Sequence, residues 1–247
     1  MKKNTAITLL FFLLIFTTVN AQEGCQVDSF VNYTYVAGTS VKENATKGTY
    51  YYNANGFKTS YLLYRWEEVT STWDDWRRVT YTNNAAGLPT IELEEYFDNA
   101  TTSWIKQYQT TFTYNSAGIV TQDLKKNWNG AANIWVNSTK IDYVITGGLK
   151  NQELDQVWDT NSNSWENVYK IDLNYDADTL VQEILQIWNT GINTWRNQWK
   201  NYYVSNDLGN PIIMYYYTYD VTTNVFDLAQ RTDYTYNVEN QLIKNET

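Results

Sequence analysis

The fold is decided by a short stretch that recurs along the chain, and residues 158–165 show it most clearly as WDTNSNSW. Two tryptophans stand seven positions apart, and the residues between them are polar types that favour turns. A β-hairpin with a four-residue loop would place these two rings opposite each other, one on each strand. The stretch therefore predicts a hairpin whose closing end carries an aromatic pair.

The aromatic pair returns at a nearly constant period. Its second ring recurs at intervals of 31, 31, 30, 30 and 31 residues, at Trp73, Trp104, Trp135, Trp165, Trp195 and Phe226. Its first ring stands seven residues earlier each time, at Trp66, Phe97, Trp128, Trp158, Trp188 and Tyr219. A turn residue stands ten positions before that ring, at Gly56, Gly87, Gly118, Gly148, Asp178 and Gly209. Since these landmarks keep phase over six units, the chain is an array of tandem repeats.

Each repeat has the composition of two β-strands. The segments are rich in Tyr, Trp, Thr, Val and Ile, and turn residues return about every 15 positions. The second turn has the form Tyr-Asx-x-x-Gly, as in Tyr52–Gly56 and Tyr114–Gly118. In such a turn the Asx side chain caps the backbone and glycine supplies the left-handed conformation. With partial units at both ends, we expect an all-β antiparallel meander of about seven 30/31-residue hairpin repeats and one unfinished strand.

The spacing of the rings also predicts a register. If Trp158 lies opposite Trp165 and pairing continues without a break, Glu153 lies opposite Lys170. The same offset in the neighbouring units predicts the pairs Asp123–Lys140 and Glu183–Lys200. Since side chains alternate between faces, this acid–base ladder occupies the face opposite the paired rings. The paired rings are then expected to share their face with Leu62, Leu93, Leu124, Leu154, Ile184, Tyr81 and Tyr143.

A flat sheet of about fifteen strands would leave its aromatic face in water. Strands also twist, which opposes a flat sheet of this width. We therefore expect the sheet to curl over the aromatic face, and three arrangements achieve this: a solenoid, a sandwich folded back on itself, or a closed barrel.

The amino terminus predicts export. Residues 1–21 combine Lys2 and Lys3, an apolar segment and a small-residue cleavage site that ends at Ala21, which together are typical of a signal peptide. Residues 22–247 then form a single repeat domain that is secreted or held at the cell surface. No later apolar run is long enough for a membrane-spanning helix. Cys25 follows Gln-Glu-Gly, which favours a free thiol over a lipidated one.

The composition excludes several function classes. The chain has no His and one Cys, so histidine-based catalysis and the common zinc sites are unavailable. Its net charge of −9 disfavours nucleic acid as a partner. Paired carboxylates are the remaining catalytic option, and alternation places the adjacent Glu94 and Glu95 on opposite faces. We therefore expect no enzyme activity, cofactor or metal, and a carboxylate-based glycoside hydrolase is the least favoured alternative.

The Tyr-Asx-x-x-Gly turns resemble the YD repeats of Rhs-type secreted proteins, best at Tyr52–Gly56, Tyr114–Gly118 and residues 175–179. The longer unit with its Trp-loop-Trp centre looks like repeats in exported proteins of Bacteroidetes-type bacteria. The resemblance implies a coiled β meander with a role at the cell surface, and it implies no activity. The unit here is longer than the usual YD repeat, and no toxin segment is appended.

Two functions remain. The first is an exported, non-enzymatic binding or scaffold module that contacts glycans or surface proteins, and the second is a purely structural piece of a longer array. The paired rings are expected to form the core. Tyr61, Trp76 and Tyr216 break the repeat on the charged face or near its edge, so they are the predicted ligand-binding residues. The unfinished last strand predicts an open edge that favours association between copies.

Overall fold

The computed structural model describes residues 28–35 and 42–246, so the predicted signal peptide and Cys25 lie outside the described residues. The described chain forms fifteen β-strands and contains no helix. Their bounds are β1 Ser29–Tyr35, β2 Lys42–Tyr52, β3 Lys58–Glu67, β4 Thr72–Asn83, β5 Pro89–Asp98, β6 Ser103–Tyr114, β7 Val120–Asn129, β8 Ile134–Thr146, β9 Leu149–Asp159, β10 Ser164–Asp176, β11 Thr179–Asn189, β12 Thr194–Ser205, β13 Pro211–Asp220, β14 Val225–Tyr236 and β15 Leu242–Glu246.

The strands form one antiparallel sheet whose order follows the sequence from β1 to β15. The predicted all-β meander is confirmed, because the described strands make seven hairpins followed by the single strand β15. The sheet does not close into a barrel, since β1 and β15 are not paired with each other. Extensive contacts join only strands that are consecutive in sequence, so the described sheet is not folded back as a sandwich either. No helix in the described ranges is long and apolar enough to cross a membrane.

The loops that close the aromatic pairs fall where the sequence predicts them. The last residue of each loop has a positive φ of 50–58°, at Ser71, Thr102, Asn133, Asn163, Asn193 and Asn224. The carboxylate of Asp159 accepts hydrogen bonds from the backbone N–H groups of Asn161 and Ser162, at 2.9 and 3.1 Å. This side chain caps its turn, as Asx residues commonly do.

The Asx–Gly turns at the other end of the hairpins also have the expected geometry. The Asn53 side chain accepts from the N–H groups of Asn55 and Phe57, both at 3.0 Å. Gly56 donates to the Asn53 carbonyl and has a φ of 78°, the left-handed conformation that favours glycine. Adjacent turns pack closely, because a Cβ on Gly87 would lie 2.4 Å from the Phe57 ring.

The predicted register is wrong beyond the first few pairs, because every full hairpin contains a β-bulge. Trp158 does lie opposite Trp165, but Val168 is an extra residue, so Lys170 pairs with Leu154 and not with Glu153. The extra residues of the six hairpins from β3 to β14 recur with the repeat, at Trp76, Gln107, Ser138, Val168, Gln198 and Ala229. Each bulge shifts the rest of the strand by one position and so reverses its faces.

The bulges redistribute the side chains between two faces. The aromatic face carries the paired rings and the row Leu62, Leu93, Leu124, Leu154 and Ile184, as predicted, but it also carries Arg78, Lys140, Lys170 and Lys200. The carboxylate face carries Glu92, Asp123, Glu153 and Glu183, together with Tyr81, Tyr143 and Tyr203. The pairs Asp123–Lys140, Glu153–Lys170 and Glu183–Lys200 therefore lie on opposite faces, and no acid–base ladder of that kind exists.

The sheet has very little conventional core. Among the described hydrophobic residues, those that are buried are Val79, Ile171 and Leu173, all on the carboxylate face. Most other strand side chains are half-buried by their neighbours within the sheet. Cross-strand contacts must therefore provide much of the stabilisation that a second layer provides in a sandwich.

Candidate binding surface at the hairpin tips

Neighbouring hairpins separate at the bulges. Pairing between β8 and β9 begins at Thr139 and Val157, whereas pairing within the β7–β8 hairpin continues outward through Trp128 and Trp135 to its loop. On the other side, Asn127 is the last residue of β7 that pairs with β6. The eleven residues between Asn127 and Thr139 therefore pair only within their own hairpin, and we call such a projecting segment a hairpin tip. The register defines five such tips in the middle of the sheet, at residues 66–76, 97–107, 128–138, 158–168 and 188–198.

An edge-to-face ring pair closes each hairpin tip. Trp128 and Trp135 have centroids 4.9 Å apart at 63°, and Trp158 and Trp165 are 5.0 Å apart at 69°. The equivalent pairs, at 5.0–5.2 Å, are Trp66–Trp73, Phe97–Trp104, Trp188–Trp195 and Tyr219–Phe226. These rings are half-buried, and such pairs contribute about 0.5–1.5 kcal/mol beyond their buried area.

In four repeats a cation links the second ring of the pair to the preceding hairpin. The Lys170 ammonium lies 5.4 Å from the Trp195 ring centroid. The same contact recurs with the repeat in Arg78–Trp104 at 4.7 Å, Lys140–Trp165 at 5.3 Å and Lys200–Phe226 at 4.9 Å. The lysines expected in an ion-pair ladder thus stabilise the paired rings by cation–π attraction. Both kinds of contact support a structural role for the paired rings.

A shallow groove lies between two adjacent tips. It has a volume of about 540 Å³ and opens between tips 128–138 and 158–168. Trp128 and Trp158 line it together with Asn137, Ser138 and Val157. This mixture of ring faces, an amide and a hydroxyl suits a ligand with both apolar and hydrogen-bonding surface. Because the tips repeat, equivalent clefts recur along the same margin of the sheet.

The structure places the three predicted ligand-binding residues in different surroundings. Tyr61 stacks on Tyr50 at 4.7 Å and 16° within the sheet, and Tyr216 lies 6.4 Å from the Trp199 ring. Trp76 is the bulge residue at the end of tip 66–76 and is 41% exposed. Eight strands separate β4 from β13, so Trp76 and Tyr216 do not contribute to one site.

Sequence reasoning missed Tyr96. This residue is 43% exposed and pairs with Arg77, immediately after Trp76. It occupies the repeat position that Val157 occupies in the groove described above, while Trp76 occupies the position of Ser138. The 30/31-residue phase alone would have aligned these positions, but only the bulge shows that Trp76 and Tyr96 lie next to each other on neighbouring strands.

Tyrosine hydroxyls hold the acids of the carboxylate face. Tyr143 donates to Asp123 at 2.9 Å, and Tyr203 donates to Glu183 at 2.6 Å. Burial is the main cause that raises the pKa of Asp123, and it raises the pKa of Asp155 to about 6. Among the described residues, no three side chains of Asp, Glu or Cys lie close enough together to hold a metal ion.

The adjacent acids Glu94 and Glu95 lie on opposite faces, as the alternation predicts. Glu94 is ion-paired with Arg77 on the carboxylate face. Glu95 is buried on the aromatic face, where it accepts a 2.8 Å hydrogen bond from Arg78 and lies opposite Lys106. A two-carboxylate hydrolase needs both acids to face one substrate, and these two do not.

No protein-family model matches the chain, and no curated protein matches it in sequence. Similar solved structures include a protein of unknown function from Bacteroides fragilis, with 16% identity over 51% of this chain and 90% of that chain and a TM-score of 0.44. A DUF3836 family protein from Bacteroides vulgatus has 18% identity over 37% and 90%, with a TM-score of 0.33. A porin-like protein from Bacteroides uniformis has 9% identity over 82% and 92%, with a TM-score of 0.36. These likenesses carry no inference about function.

Proposed function

We propose that the protein is exported and acts, without catalysis, as a binding module at the cell surface or in the medium, where it contacts glycans or surface proteins. The observation that carries this proposal is the row of separated hairpin tips along one margin of an open sheet. Such a row presents similar clefts at intervals of two strands, about 9.6 Å. A regular spacing of amphipathic clefts suits an extended partner better than a small metabolite.

The arrangement of charged groups supports a role without catalysis. The adjacent acids Glu94 and Glu95 are ion-paired on opposite faces, and Asp123 and Glu183 are held by tyrosines. The grooves between tips are shallow and open, whereas catalytic sites usually exclude water around the reacting groups.

Two measurements test the proposal. Cell fractionation of the epitope-tagged protein should recover it outside the cytoplasm, shortened at its amino terminus. The purified protein should bind members of a glycan array or isolated cell-surface material. Recovery of the intact chain in the cytoplasm, or no binding to either surface preparation, would contradict the proposal.

The open edges favour a second candidate, a scaffold that associates with copies of itself. β15 pairs with β14 alone among the described strands, and its described side chains are all exposed. Because the sheet has an odd number of antiparallel strands, β1 and β15 run in the same direction. An antiparallel junction therefore joins β15 to β15 of a second copy across a two-fold axis. Sedimentation at high protein concentration tests this, and a strictly monomeric protein would exclude it.

A further inference from the structure

One cleft between hairpin tips differs from the others in its aromatic content. It lies between tips 66–76 and 97–107, where the pair Arg77–Tyr96 repeats the pair Thr139–Val157. Ser138 and Val157 line the groove between tips 128–138 and 158–168, and Trp76 and Tyr96 occupy the equivalent positions beside this cleft, two repeats earlier. The equivalent positions elsewhere hold Gln107 and Asn127, Ser138 and Val157, Val168 and Ile187, and Gln198 and Thr218.

Both rings in this cleft are accessible. Trp76 is 41% exposed and Tyr96 is 43% exposed, whereas the paired rings of the tips are half-buried and in contact with each other. Trp76 is also a bulge residue, so it is not constrained by a direct partner on the neighbouring strand. Exposed amphipathic rings lose unfavourable contact with water when an apolar surface with polar edges covers them.

The charge of the cleft limits the chemistry of its ligand. Tip 66–76 carries Glu67, Glu68, Asp74 and Asp75 and has no lysine or arginine. The two arginines beside it face acids, since Arg65 lies opposite Asp74 and Arg77, at the base of the cleft, is ion-paired with Glu94. Carboxylates accept hydrogen bonds from hydroxyl groups and repel other anions. A ligand with hydroxyl donors, flat patches of C–H groups and no negative charge satisfies both the rings and the acids.

We propose that an uncharged saccharide chain binds between Trp76 and Tyr96, with the two rings stacked on its pyranose faces and Asp74, on the same face of the sheet as Tyr96, accepting its hydroxyl protons. This inference deepens the proposed function and rests on it, since it names the cleft and the ligand class of the same surface. The paired rings then stabilise the tips, and the residues that vary between repeats beside each bulge contact the ligand.

Affinity electrophoresis of the purified protein tests the inference. Native gels contain a neutral β-glucan, a galactomannan or anionic polygalacturonate, and a bovine albumin standard corrects for sieving. We expect retention by at least one neutral polymer, weakened about tenfold or more in Trp76→Ala and in Tyr96→Ala. Trp76→Phe, which keeps a ring, should retain part of the binding. Tyr202→Ala is the matched control, because Tyr202 is 42% exposed on the distant strand β12. This variant should be retained by the polymer as strongly as the wild type.

The outcomes separate the inference from the proposed function. Suppose that a neutral polymer retains the protein and that neither alanine variant changes this retention or the melting temperature. The assignment of the binding site to the cleft between Trp76 and Tyr96 is then wrong, while a glycan-binding function stands. Stronger retention in polygalacturonate than in the neutral gels would overturn the charge argument and the inference with it. If no polymer retains the protein although it binds isolated cell-surface material, the saccharide inference fails and the broader binding function stands.

Discussion

The Tyr143 hydroxyl on β8 donates a 2.9 Å hydrogen bond to the carboxylate of Asp123 on β7. The same relationship recurs two hairpins later, where Tyr203 donates to Glu183 at 2.6 Å. Burial is the main cause that raises the pKa values of Tyr143 and Asp123, and the negative charge of Asp123 raises that of Tyr143 further. Contacts of this kind stabilise the described sheet, in which no other described strand packs on the carboxylate face.

Removing the Tyr143 hydroxyl tests how much these contacts contribute. Tyr143→Phe keeps the ring and leaves the Asp123 carboxylate without this donor. We expect a loss of about 1–2 kcal/mol in the free energy of unfolding, since hydrogen bonds to charged groups are stronger than neutral ones. Urea unfolding measures the change, and the exposed Tyr202→Phe serves as the control. Equal effects in both variants would contradict a specific role for the Tyr143–Asp123 bond.

The carboxyl of Asp155 makes stability depend on pH. Its pKa rises from 3.8 to about 6, chiefly by burial, so the folded state favours the protonated acid. This contribution is present below pH 4 and is lost as the pH rises through about 6, because the unfolded chain then releases the proton more readily. We expect the melting temperature of the wild type to fall between pH 4 and pH 7 by more than that of Asp155→Asn. Parallel changes in the two proteins would show that Asp155 does not cause the dependence.

The paired rings should matter more for stability than the exposed tryptophan. Trp158→Ala removes one ring of an edge-to-face pair, and since that ring is half-buried we expect a loss of about 2 kcal/mol, less than for a core tryptophan. Trp76→Ala should change stability by less than about 0.5 kcal/mol. Thermal unfolding compares the two, and hydrogen exchange should show the loss in tip 158–168 and its neighbours only. A larger loss from Trp76→Ala would reverse the assignment of roles.

Deleting a bulge residue should be far more damaging than truncating it. Val168 is 39% exposed, so Val168→Ala should be nearly neutral. Deletion of Val168 removes the register shift and moves Ile171 and Leu173 to the opposite face of β10. We expect the deletion to cost about 3 kcal/mol or more, at the upper end of single-site effects. Urea unfolding of the two variants gives the free energies of unfolding. If the deletion lowers this free energy no more than Val168→Ala does, the bulge does not determine which face of β10 is buried.

The loop residue Thr102 should be open to improvement. It has a φ of 50°, a conformation that is unfavourable for a β-branched residue and that asparagine tolerates better. We expect Thr102→Asn to raise stability by up to about 1 kcal/mol. The matching change Asn163→Thr at the same loop position should lower it, and thermal unfolding of both variants gives the comparison. Stabilisation by both changes would contradict the backbone explanation.

Much of the architecture could be predicted because its signals are chemical and periodic. Rings seven positions apart and Asx–Gly turns define where each hairpin begins and ends, and both appear in the sequence as fixed residue types. The bulge has no such signature. Its residue is Trp76 in one repeat, Ser138 in another and Ala229 in another, since the position demands an extra residue and not a particular side chain. In β10 the alternation of apolar and polar residues is interrupted only at Asn167 and Val168, and the pattern resumes at Tyr169 in the same phase, so the sequence does not indicate a shift of register.

Of the two residues proposed to bind the ligand, one could be predicted from the sequence and the other could not. Trp76 could be selected from sequence because it interrupts the repeat, and the structure places it in an exposed position. Tyr96 could not be selected, since an unbroken register gives no reason to set it beside Trp76. Where hairpins separate depends on backbone pairing between β4 and β5, a property that no single residue encodes.

The open meander has a consequence for how such a chain changes over evolutionary time. A closed sheet fixes its number of strands, because adding one unit alters every junction around the ring. Here each hairpin meets only the hairpins before and after it, and all of the middle units share one geometry. Duplication or loss of a 30/31-residue gene segment therefore leaves the remaining junctions intact. The array can lengthen or shorten by whole units, while substitutions beside each bulge diversify one cleft at a time.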